Sequence, residues 1–370
     1  MKKIIAILLA LCTLLLCACS PKVEETEPPE TTNNATQNTE KETESSTQAA
    51  TKPVSQYKNP LTGEPMDEDK LTARPFAVML NNYENALPIH GISEADIVYE
   101  ALTEGGMTRC LGIFSDLASV EALGSIRSAR RHFVNVSIAY DAIYVHYGKS
   151  TGNVGAQEYM DAMNWDHMDG TSKGYPYFYE SQDRINAGYN PGDACHFLVG
   201  QRAIDYAKDN GFTLNREDPM DYGLLFDDDK VIVGESASTI TVWFNQGGTP
   251  GSWTKYTKLT YDKETKQYLS YQFGEDNVDG NTGETLAFRN VFVIKAPTQK
   301  NTTSEHMIIT LEGEGEGYFA CNGQLVPIKW SRESANDPFT YTLEDGTPLT
   351  LGVGKSYIAI VPTNATTEWE

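Results

Sequence analysis

Three charged residues around a glycine pair have the residue types needed for acid–base chemistry. Glu100 and Glu104 precede Gly105-Gly106, and Arg109 follows this glycine pair. Two carboxylates beside a cation that keeps one of them ionised can act as general acid and general base. The same three residue types also make a charge triad at the mouth of a cleft or in a subunit contact. The spacing of these residues does not indicate a particular reaction, so the cluster has either a catalytic or a structural role.

A second cluster is rich in arginine and is followed by a helical pattern. Arg127, Arg130 and Arg131 lie within five residues, and apolar residues then recur with helical spacing at Ala129, Phe133, Val136 and Tyr140. We predict that the arginines occupy the first turns of this helix. Cations there oppose the helix dipole by about 0.3–1 kcal/mol each unless an anion joins the free backbone N–H groups.

The anion that these arginines require is either internal or external. Asp96, Glu100 and Glu104 are internal candidates, whereas a phosphate or carboxylate ligand is the external one. Arg127 and Arg130 are three residues apart and share a face of the predicted helix. They are therefore the pair that we predict to bind an anion.

A histidine at the end of a predicted strand completes the set of candidates. His146 ends the apolar run that begins at Ala142, and it is either a cleft residue or a hydrogen-bonded core residue. The acidic segments 165–169 and 275–284 match no zinc or calcium spacing and are predicted surface loops. We therefore expect no metal and no cofactor. No GxSxG elbow and no activated cysteine context is present, which argues against a serine or cysteine hydrolase.

A hairpin is the element that would position the first cluster. Gly105-Gly106 is typical of the centre of a two-residue hairpin turn. If residue 104 faces 107, then 102 faces 109 and 100 faces 111. That register places Glu100 and Glu104 on one face of the sheet with Arg109 diagonal to both of them.

The beginning of the chain predicts a lipid anchor. Lys2 and Lys3 precede an apolar run that is too short to span a bilayer, so residues 1–18 are a predicted signal peptide. It ends in Leu16-Cys17-Ala18-Cys19, and the small Ala18 favours cleavage before Cys19 rather than before Cys17. Cys19 is the predicted lipidation site. We therefore predict a lipid-anchored protein on the extracytoplasmic face of the cell membrane.

Composition divides the remainder of the chain into a tether and two domains. Residues 19–56 are acidic, rich in Thr and Glu, and too polar to fold, so they are a predicted disordered tether. Residues 57–226 alternate helical and strand patterns, which predicts an α/β domain with a mixed sheet. Residues 230–362 contain short strand patterns separated by turns, which predicts a mostly-β domain. The predicted fold class is α+β.

Charge and cysteine content limit the partners. The formal net charge is −22, so the surface repels nucleic acid and anionic lipid head groups. Cys110, Cys195 and Cys321 are far apart in sequence. We predict three buried free thiols, and one disulfide with one free thiol is the alternative.

Several segments together form a family pattern. They include Asn59-Pro60-Leu61-Thr62-Gly63, Gly91-Ile92-Ser93-Glu94-Ala95-Asp96, Glu104-Gly105-Gly106-Met107-Thr108-Arg109, Gly124-Ser125-Ile126-Arg127-Ser128-Ala129-Arg130, Asp279-Gly280-Asn281-Thr282-Gly283 and Gly317-Tyr318-Phe319-Ala320-Cys321-Asn322-Gly323. This pattern resembles the YerB-like family of bacterial lipoproteins. The resemblance implies two tandem domains, the first α/β and the second mostly β, and it brings no assigned activity. The chain departs from the family around His196, where Cys195 and Phe197 replace the expected neighbours.

These observations favour a binding protein over an enzyme. The predicted site is a polar cleft that presents one set of charged residues to a cell-envelope ligand or protein partner: Glu100, Glu104, Arg109, Arg127, Arg130 and His146. One alternative is an envelope hydrolase or transferase that uses Glu100 and Glu104 as an acid–base pair. Another is an assembly factor that docks through strand addition to its C-terminal β domain.

Overall fold

The computed structural model describes residues 55–171, 177–231, 233–246 and 254–370. The predicted signal peptide, the predicted lipidation site Cys19 and the tether up to residue 54 lie outside these ranges. Within the described ranges, no helix has the length and apolar character required to cross a membrane.

The first part of the chain combines helices and strands. In chain order they are β1 (Phe76–Asn82), β2 (Ile97–Leu102), β3 (Thr108–Phe114), β4 (Leu123–Gly124), α1 (Arg131–Ala139), β5 (Ile143–His146), α2 (Ala156–Met163), β6 (His167–Asp169), β7 (Phe178–Glu180), α3 (Gln182–Asn186), α4 (Pro191–Ala194), β8 (His196–Leu198), α5 (Gly200–Asp209) and β9 (Leu225–Phe226).

The second part consists mainly of strands. They are β10 (Glu235–Ser236), β11 (Thr239–Gln246), β12 (Thr254–Asp262), β13 (Gln267–Gln272), β14 (Glu275–Asp276), β15 (Ala287–Phe288), β16 (Asn290–Ala296), β17 (Thr298–Lys300), β18 (Met307–Ile309), β19 (Gly313–Cys321), β20 (Gln324–Arg332), β21 (Thr340–Leu343), β22 (Thr350–Leu351), β23 (Ser356–Pro362) and β24 (Thr367–Trp369).

One large sheet runs through the described part of the chain. Its strand order is β10-β20-β19-β16-β23-β2-β3-β1-β5-β6, with β21 also paired to β20. β1, β5 and β6 are parallel to one another, whereas β3 is antiparallel to both β1 and β2. The N-terminal region therefore has a mixed sheet, and the C-terminal region is mostly antiparallel, which confirms the predicted α+β class.

The sequence boundary predicted at residues 227–229 does not separate the strands of this sheet. β23 comes from the C-terminal segment, yet it pairs in parallel with β2 on one side and with β16 on the other. Residues 53–370 form one compact unit. The two segments that differ in sequence pattern thus share a continuous hydrogen-bonded sheet.

The two faces of the large sheet are covered by different elements. One face packs on α1 and α2, with Phe133 and Met160 in the shared core. The opposite face packs on α5 and on a second sheet, in which β14, β13, β12, β11 and β24 follow one another. Because the large sheet is covered on both faces, its central strands are fully buried, as expected for a sheet in the middle layer.

The three thiols of the described residues are separate. Cys110, Cys195 and Cys321 are free and buried, which confirms the prediction of three buried free thiols. Burial raises the pKa of Cys110 well above its ordinary value. Because the thiolate is the reactive form, these side chains behave as small apolar groups.

Two segments predicted as surface loops each contain a buried carboxylate, although most of residues 275–284 are exposed, as predicted. Residues 167–169 form β6, an edge strand next to β5. Asp279 is completely buried and accepts hydrogen bonds from the backbone N–H groups of Gly91, Ser93 and Asn281 at 2.7–3.1 Å. The surface-loop prediction was wrong for residues 167–169 and for Asp279, because several bonding partners of Asp169 and Asp279 are distant in sequence.

Candidate functional site

The turn after β2 is longer than the sequence predicted. Thr103 and Met107 are bonded through their backbones (2.8 Å), and Gly105 and Gly106 both have positive φ, so five residues connect the strands. The pairing is Glu100 with Cys110 and Ala101 with Arg109. This register differs by one residue from the predicted one. A slip of one residue exchanges the faces of a strand, so the sheet separates Glu100 from Arg109.

Glu100 is enclosed between the two sheets. Its Oε1 lies 2.9 Å from Lys255 Nζ and accepts from Thr108 Oγ1 at 2.6 Å. Its Oε2 accepts from Thr257 Oγ1 and from Tyr357 Oη at 2.9 and 2.6 Å. Burial favours the neutral acid, yet Lys255 and these hydrogen bonds hold the pKa of Glu100 below its usual range. Glu100 is thus an ionised, fully bonded core residue.

Glu104 has a different partner. Arg130 Nε and Nη2 donate to the two carboxylate oxygens of Glu104 at 2.6 and 2.9 Å, which is a bidentate pair. Burial opposes ionisation, but Arg130 lowers the pKa of Glu104 to about 2. The predicted acid–base pair Glu100/Glu104 is therefore wrong, because the two carboxylates lie on opposite faces and each is neutralised by its own cation.

Arg109 is a buried cation without a carboxylate partner among the described residues. It is 7% exposed, and its Nη1 donates to the Ser128 carbonyl oxygen. Its Nε and Nη2 have no protein acceptor within the described ranges. Burial, together with the nearby charges of Arg130 and Arg127, lowers the pKa of Arg109 to about 9. The charge of Glu104 opposes this shift, but Glu104 pairs with Arg130 and makes no ion pair with Arg109, so the positive charge of Arg109 is buried without a direct counterion among the described residues.

A cavity of about 280 Å³ lies beside Arg109. Its walls combine polar and charged side chains from β1, β3 and two loops: Asn81, Tyr83, Thr103, Met107, Thr108, Arg109, Arg127 and Asp193. We call it the arginine cavity. Its lining residues include two guanidinium groups and only one carboxylate, so the lining is cationic. The protein as a whole, by contrast, has a formal net charge of −22.

Arg127 is held at the rim of the arginine cavity by a weak and accessible contact. It pairs with Asp193 at 2.9 Å and donates to the Gly192 carbonyl oxygen at 3.0 Å. Both side chains of the ion pair are partly solvent-exposed. An exposed ion pair contributes roughly 0–1 kcal/mol, so an incoming anion can compete with Asp193 for Arg127.

The helix that was expected to hold the arginines begins later than predicted. α1 starts at Arg131, and its N-cap Arg130 is extended. Residues 126–129 cross the ends of β1 and β5, with the Arg127 N–H bonded to Met79 and the Tyr147 N–H bonded to Arg127. Arg127 and Arg130 therefore do not share a helical face. Arg130 contacts Glu104, whereas Arg127 contacts Asp193 and the arginine cavity.

His146 belongs to a separate buried cluster. Its Nδ1 lies 2.8 Å from the Gly148 carbonyl oxygen and its Nε2 lies 3.0 Å from His167 Nδ1. Asp169 lies 3.8 Å from the ring and binds Lys149 at 2.7 Å. Burial lowers the pKa of His146 to about 4. His146 is a core histidine, and its predicted place in the cleft was wrong.

The structure thus brings together four of the six predicted site residues. Glu104, Arg109, Arg127 and Arg130 form one cluster, while Glu100 and His146 are enclosed elsewhere. Asn81, Tyr83 and Asp193 also line the arginine cavity, but no spacing in the sequence indicated them. Asp193 lies in the short α4, far along the chain from Arg127, and only the tertiary fold places them in contact.

The described molecule is therefore an α+β protein with a cationic cavity, and comparisons with known proteins give its family. The model described as "Protein of unknown function (DUF3048) N-terminal domain" matches residues 61–192, and the model of the corresponding C-terminal domain matches residues 249–358. Together these matches cover more than half of the chain. The chain belongs to this family, and the predicted resemblance to YerB-like proteins is confirmed.

Two individual comparisons agree with the family assignment. A Bacillus subtilis (strain 168) protein named "Putative lipoprotein YerB" is 29% identical over 309 residues, which is 84% of this chain and 87% of the relative. The crystal structure of the YerB protein from Bacillus subtilis matches with a TM-score of 0.72 and 30% identity. That match covers 84% of this chain and 99% of the solved chain.

Proposed function

We propose that this protein is a lipid-anchored, extracytoplasmic binding protein whose arginine cavity takes an anionic group. The observation that carries the proposal is Arg109, a buried guanidinium with no carboxylate partner in the described ranges. A guanidinium fork matches the geometry of a carboxylate or a phosphate. Arg127 supplies a second cation that can be released from Asp193. The ligand would therefore bring the negative charge that the cavity lacks.

A charge-removing variant tests the binding site. In Arg109→Met we expect an equal or higher melting temperature, since an uncompensated buried charge is lost while the apolar stem is kept. Phosphate at tens of millimolar should raise the melting temperature of the wild type by mass action and leave the melting temperature of Arg109→Met unchanged. Arg202→Met, which removes an exposed arginine of α5, is the matched control and should respond like the wild type.

Two outcomes would contradict the site. An equal response of wild type and Arg109→Met to phosphate would show that the anion binds elsewhere. A large loss of stability in Arg109→Met with no anion response in the wild type would make Arg109 a structural residue.

The anchor rests on Cys19 and on the lipoprotein name of the relative. Cys19→Ser should move the protein from the membrane fraction to the medium or leave its signal peptide uncleaved. Cys17→Ser is the matched control and should leave a diacylglycerol adduct in the intact mass of the membrane-extracted protein. An adduct that persists in Cys19→Ser would rule out this anchor.

Neither alternative function is favoured by the described residues. The hydrolase hypothesis needed a Glu100/Glu104 pair, which the sheet separates. Docking by strand addition needs a long open edge, whereas the edge strands of the two largest sheets, β6, β10, β14, β15, β21 and β24, have two to four residues each.

A further inference from the structure

A second cavity adjoins the arginine cavity. It has a volume of about 580 Å³ and shares Tyr83 and Asp193 with the arginine cavity. Its remaining walls are one more tyrosine, two asparagines and small residues: Tyr189, Asn85, Asn190, Ala86, Ala187, Gly188 and Ala194. We call it the tyrosine cavity. A ligand that extends out of the arginine cavity past Tyr83 enters it.

The walls of the tyrosine cavity are fixed by a buried arginine. Arg184 is 5% exposed and donates to the carbonyl oxygens of Ala86 and Ala194 at 2.8 and 2.9 Å, so it links two segments that line the cavity. The guanidinium of Arg184 also lies 4.5 Å from the ring centre of Tyr189. Tyr189 Oη donates to the Leu87 carbonyl oxygen at 2.9 Å. The cavity is therefore a preorganised part of the fold.

Polar groups of the tyrosine cavity have unused hydrogen-bonding capacity. Asn190 Oδ1 accepts from the Gly192 N–H at 2.9 Å, but its Nδ2 has no protein partner within the described ranges. Asp193 Oδ1 pairs with Arg127, and no described residue bonds its Oδ2. Asn85 donates to Tyr83 Oη at 2.8 Å, which leaves its carbonyl oxygen available. The cavity thus offers both donors and acceptors.

The tyrosine cavity and the arginine cavity suit different parts of one ligand. The tyrosine cavity has no lysine or arginine among its lining residues and one carboxylate, Asp193, so a second anion is disfavoured there. Aromatic rings beside amide and carboxylate groups suit a ring that carries both C–H faces and hydroxyl groups. The arginine cavity suits a carboxylate on that ring.

We propose that the two cavities together bind an acidic sugar, that is, a pyranose ring in the tyrosine cavity with its carboxylate at Arg109. This inference rests on the proposed anion site and names the class of its ligand. Free carboxylate or phosphate fills only the smaller cavity, whereas the acidic sugar uses Tyr189 and Asn190 as well.

Three probes separate the parts of this ligand. N-acetylmuramic acid contains both the ring and the carboxylate, N-acetylglucosamine contains the ring alone, and lactate contains the carboxylate alone. By calorimetry with the wild type, we expect N-acetylmuramic acid to bind at least tenfold more tightly than either of the other two. Arg109→Met should reduce the affinity for N-acetylmuramic acid to the affinity for N-acetylglucosamine. Tyr189→Leu should reduce the affinity for N-acetylmuramic acid to the affinity for lactate.

Two further variants keep the test independent of folding. Asn85→Ala changes an exposed side chain of the tyrosine cavity. It should weaken the binding of N-acetylmuramic acid but not the binding of lactate. Tyr179→Leu changes a partly exposed tyrosine outside both cavities and should leave all three affinities unchanged.

The possible failures are distinguishable. Equal affinities for lactate and N-acetylmuramic acid, with both lost in Arg109→Met, would overturn the sugar inference and leave the anion site in place. Binding of N-acetylglucosamine as tight as that of N-acetylmuramic acid would overturn it as well. If phosphate, lactate and N-acetylmuramic acid all fail to bind, both the sugar inference and the proposed anion site are wrong.

Discussion

At the residue scale, the buried environment of His146 strongly favours the neutral form of its ring. The ring is completely buried and bonded to Gly148 and His167, and the charged groups that face it are Asp169 and Lys149. Burial lowers the pKa of His146 to about 4, although Asp169 opposes this shift. His146 is therefore neutral in the folded protein at pH values where the unfolded chain already binds a proton.

We predict that His146 makes the fold sensitive to mild acid. Between about pH 6.5 and pH 4 residue 146 binds a proton in the unfolded chain but not in the folded protein. His146 therefore leaves the free energy of unfolding at its full value above pH 6.5 and decreases it as pH falls toward 4. The expected loss is on the order of 2–3 kcal/mol. Urea denaturation at pH 7.0, 5.5 and 4.5 should show a smaller loss in His146→Gln than in the wild type.

His306→Gln serves as the control for this measurement, because His306 is only partly buried and lies outside the His146 cluster. It should follow the wild type across the same pH range. Identical pH slopes for the wild type and His146→Gln would contradict the prediction.

The residue scale also shows what the sequence could and could not predict about the site. The residue types around Gly105-Gly106 correctly indicated a charged cluster, and Glu104, Arg109, Arg127 and Arg130 do meet. The register failed because two glycines do not fix loop length, and one extra residue moves Arg109 to the other face. The partner of Arg127 was not predictable, since Asp193 approaches only in the tertiary fold.

At the element scale, Glu100 and Lys255 connect the two main sheets. Glu100 lies on β2 and Lys255 on β12, and both are 2% exposed. Lys255 is further bonded to Thr257 and Gln272 at 2.8 Å. Every polar atom of this charged pair therefore has a partner, which is the condition under which a buried ion pair is tolerated.

We predict a strong coupling between these two residues. Glu100→Gln or Lys255→Met alone leaves the other charge buried and unpaired, at a cost of about 3–5 kcal/mol. The double variant should lose much less than the sum of the two single losses. A double-mutant cycle by urea denaturation measures this coupling.

The exposed pair Lys70–Asp116 is the matched control, with its charged groups 2.7 Å apart and both side chains about two-fifths exposed. Its coupling should be only about 0.2–1 kcal/mol. Additive losses for Glu100→Gln and Lys255→Met would show that the two sheets are held together without this pair.

Elements were easier to predict than their pairing. The apolar run from Ala142 to His146 located β5 within one residue, because burial of a whole strand leaves a local signal. The start of α1 was misplaced, since residues 126–129 look helical in sequence but bond to Met79 and Gly148 across the ends of two strands. Such long-range bonds have no local sequence pattern.

At the scale of the whole molecule, the two family segments are interlocked. β23 pairs with β2, Glu100 pairs with Lys255, and Asp279 binds the N–H groups of Gly91 and Ser93. The Asp279-Gly280-Asn281 motif therefore joins the C-terminal segment to the N-terminal one. Two sequence domains need not be two folding units.

We predict that neither segment folds alone. Residues 53–230 lack β23 and expose the edge of β2, while residues 231–370 lose β2 as the neighbour of β23. Each fragment should show no cooperative thermal unfolding, and co-expression should restore a cooperative complex. A nick at residues 227–230 should likewise leave both pieces associated during gel filtration.

The opposite result is easily recognised. Cooperative melting of fragment 53–230 on its own, near the melting temperature of the full chain, would show that β23 is dispensable for the N-terminal segment.

The central place of β23 has a consequence for how the protein is made. Synthesis runs from the N-terminus, so β2 and β16 both leave the ribosome before residues 356–362, the strand that joins them. The middle of the large sheet consequently closes only near the end of translation, and this long-range pairing makes folding slow. For a chain that we propose to be exported, such late closure keeps it unfolded for passage through the membrane and places its folding on the far side.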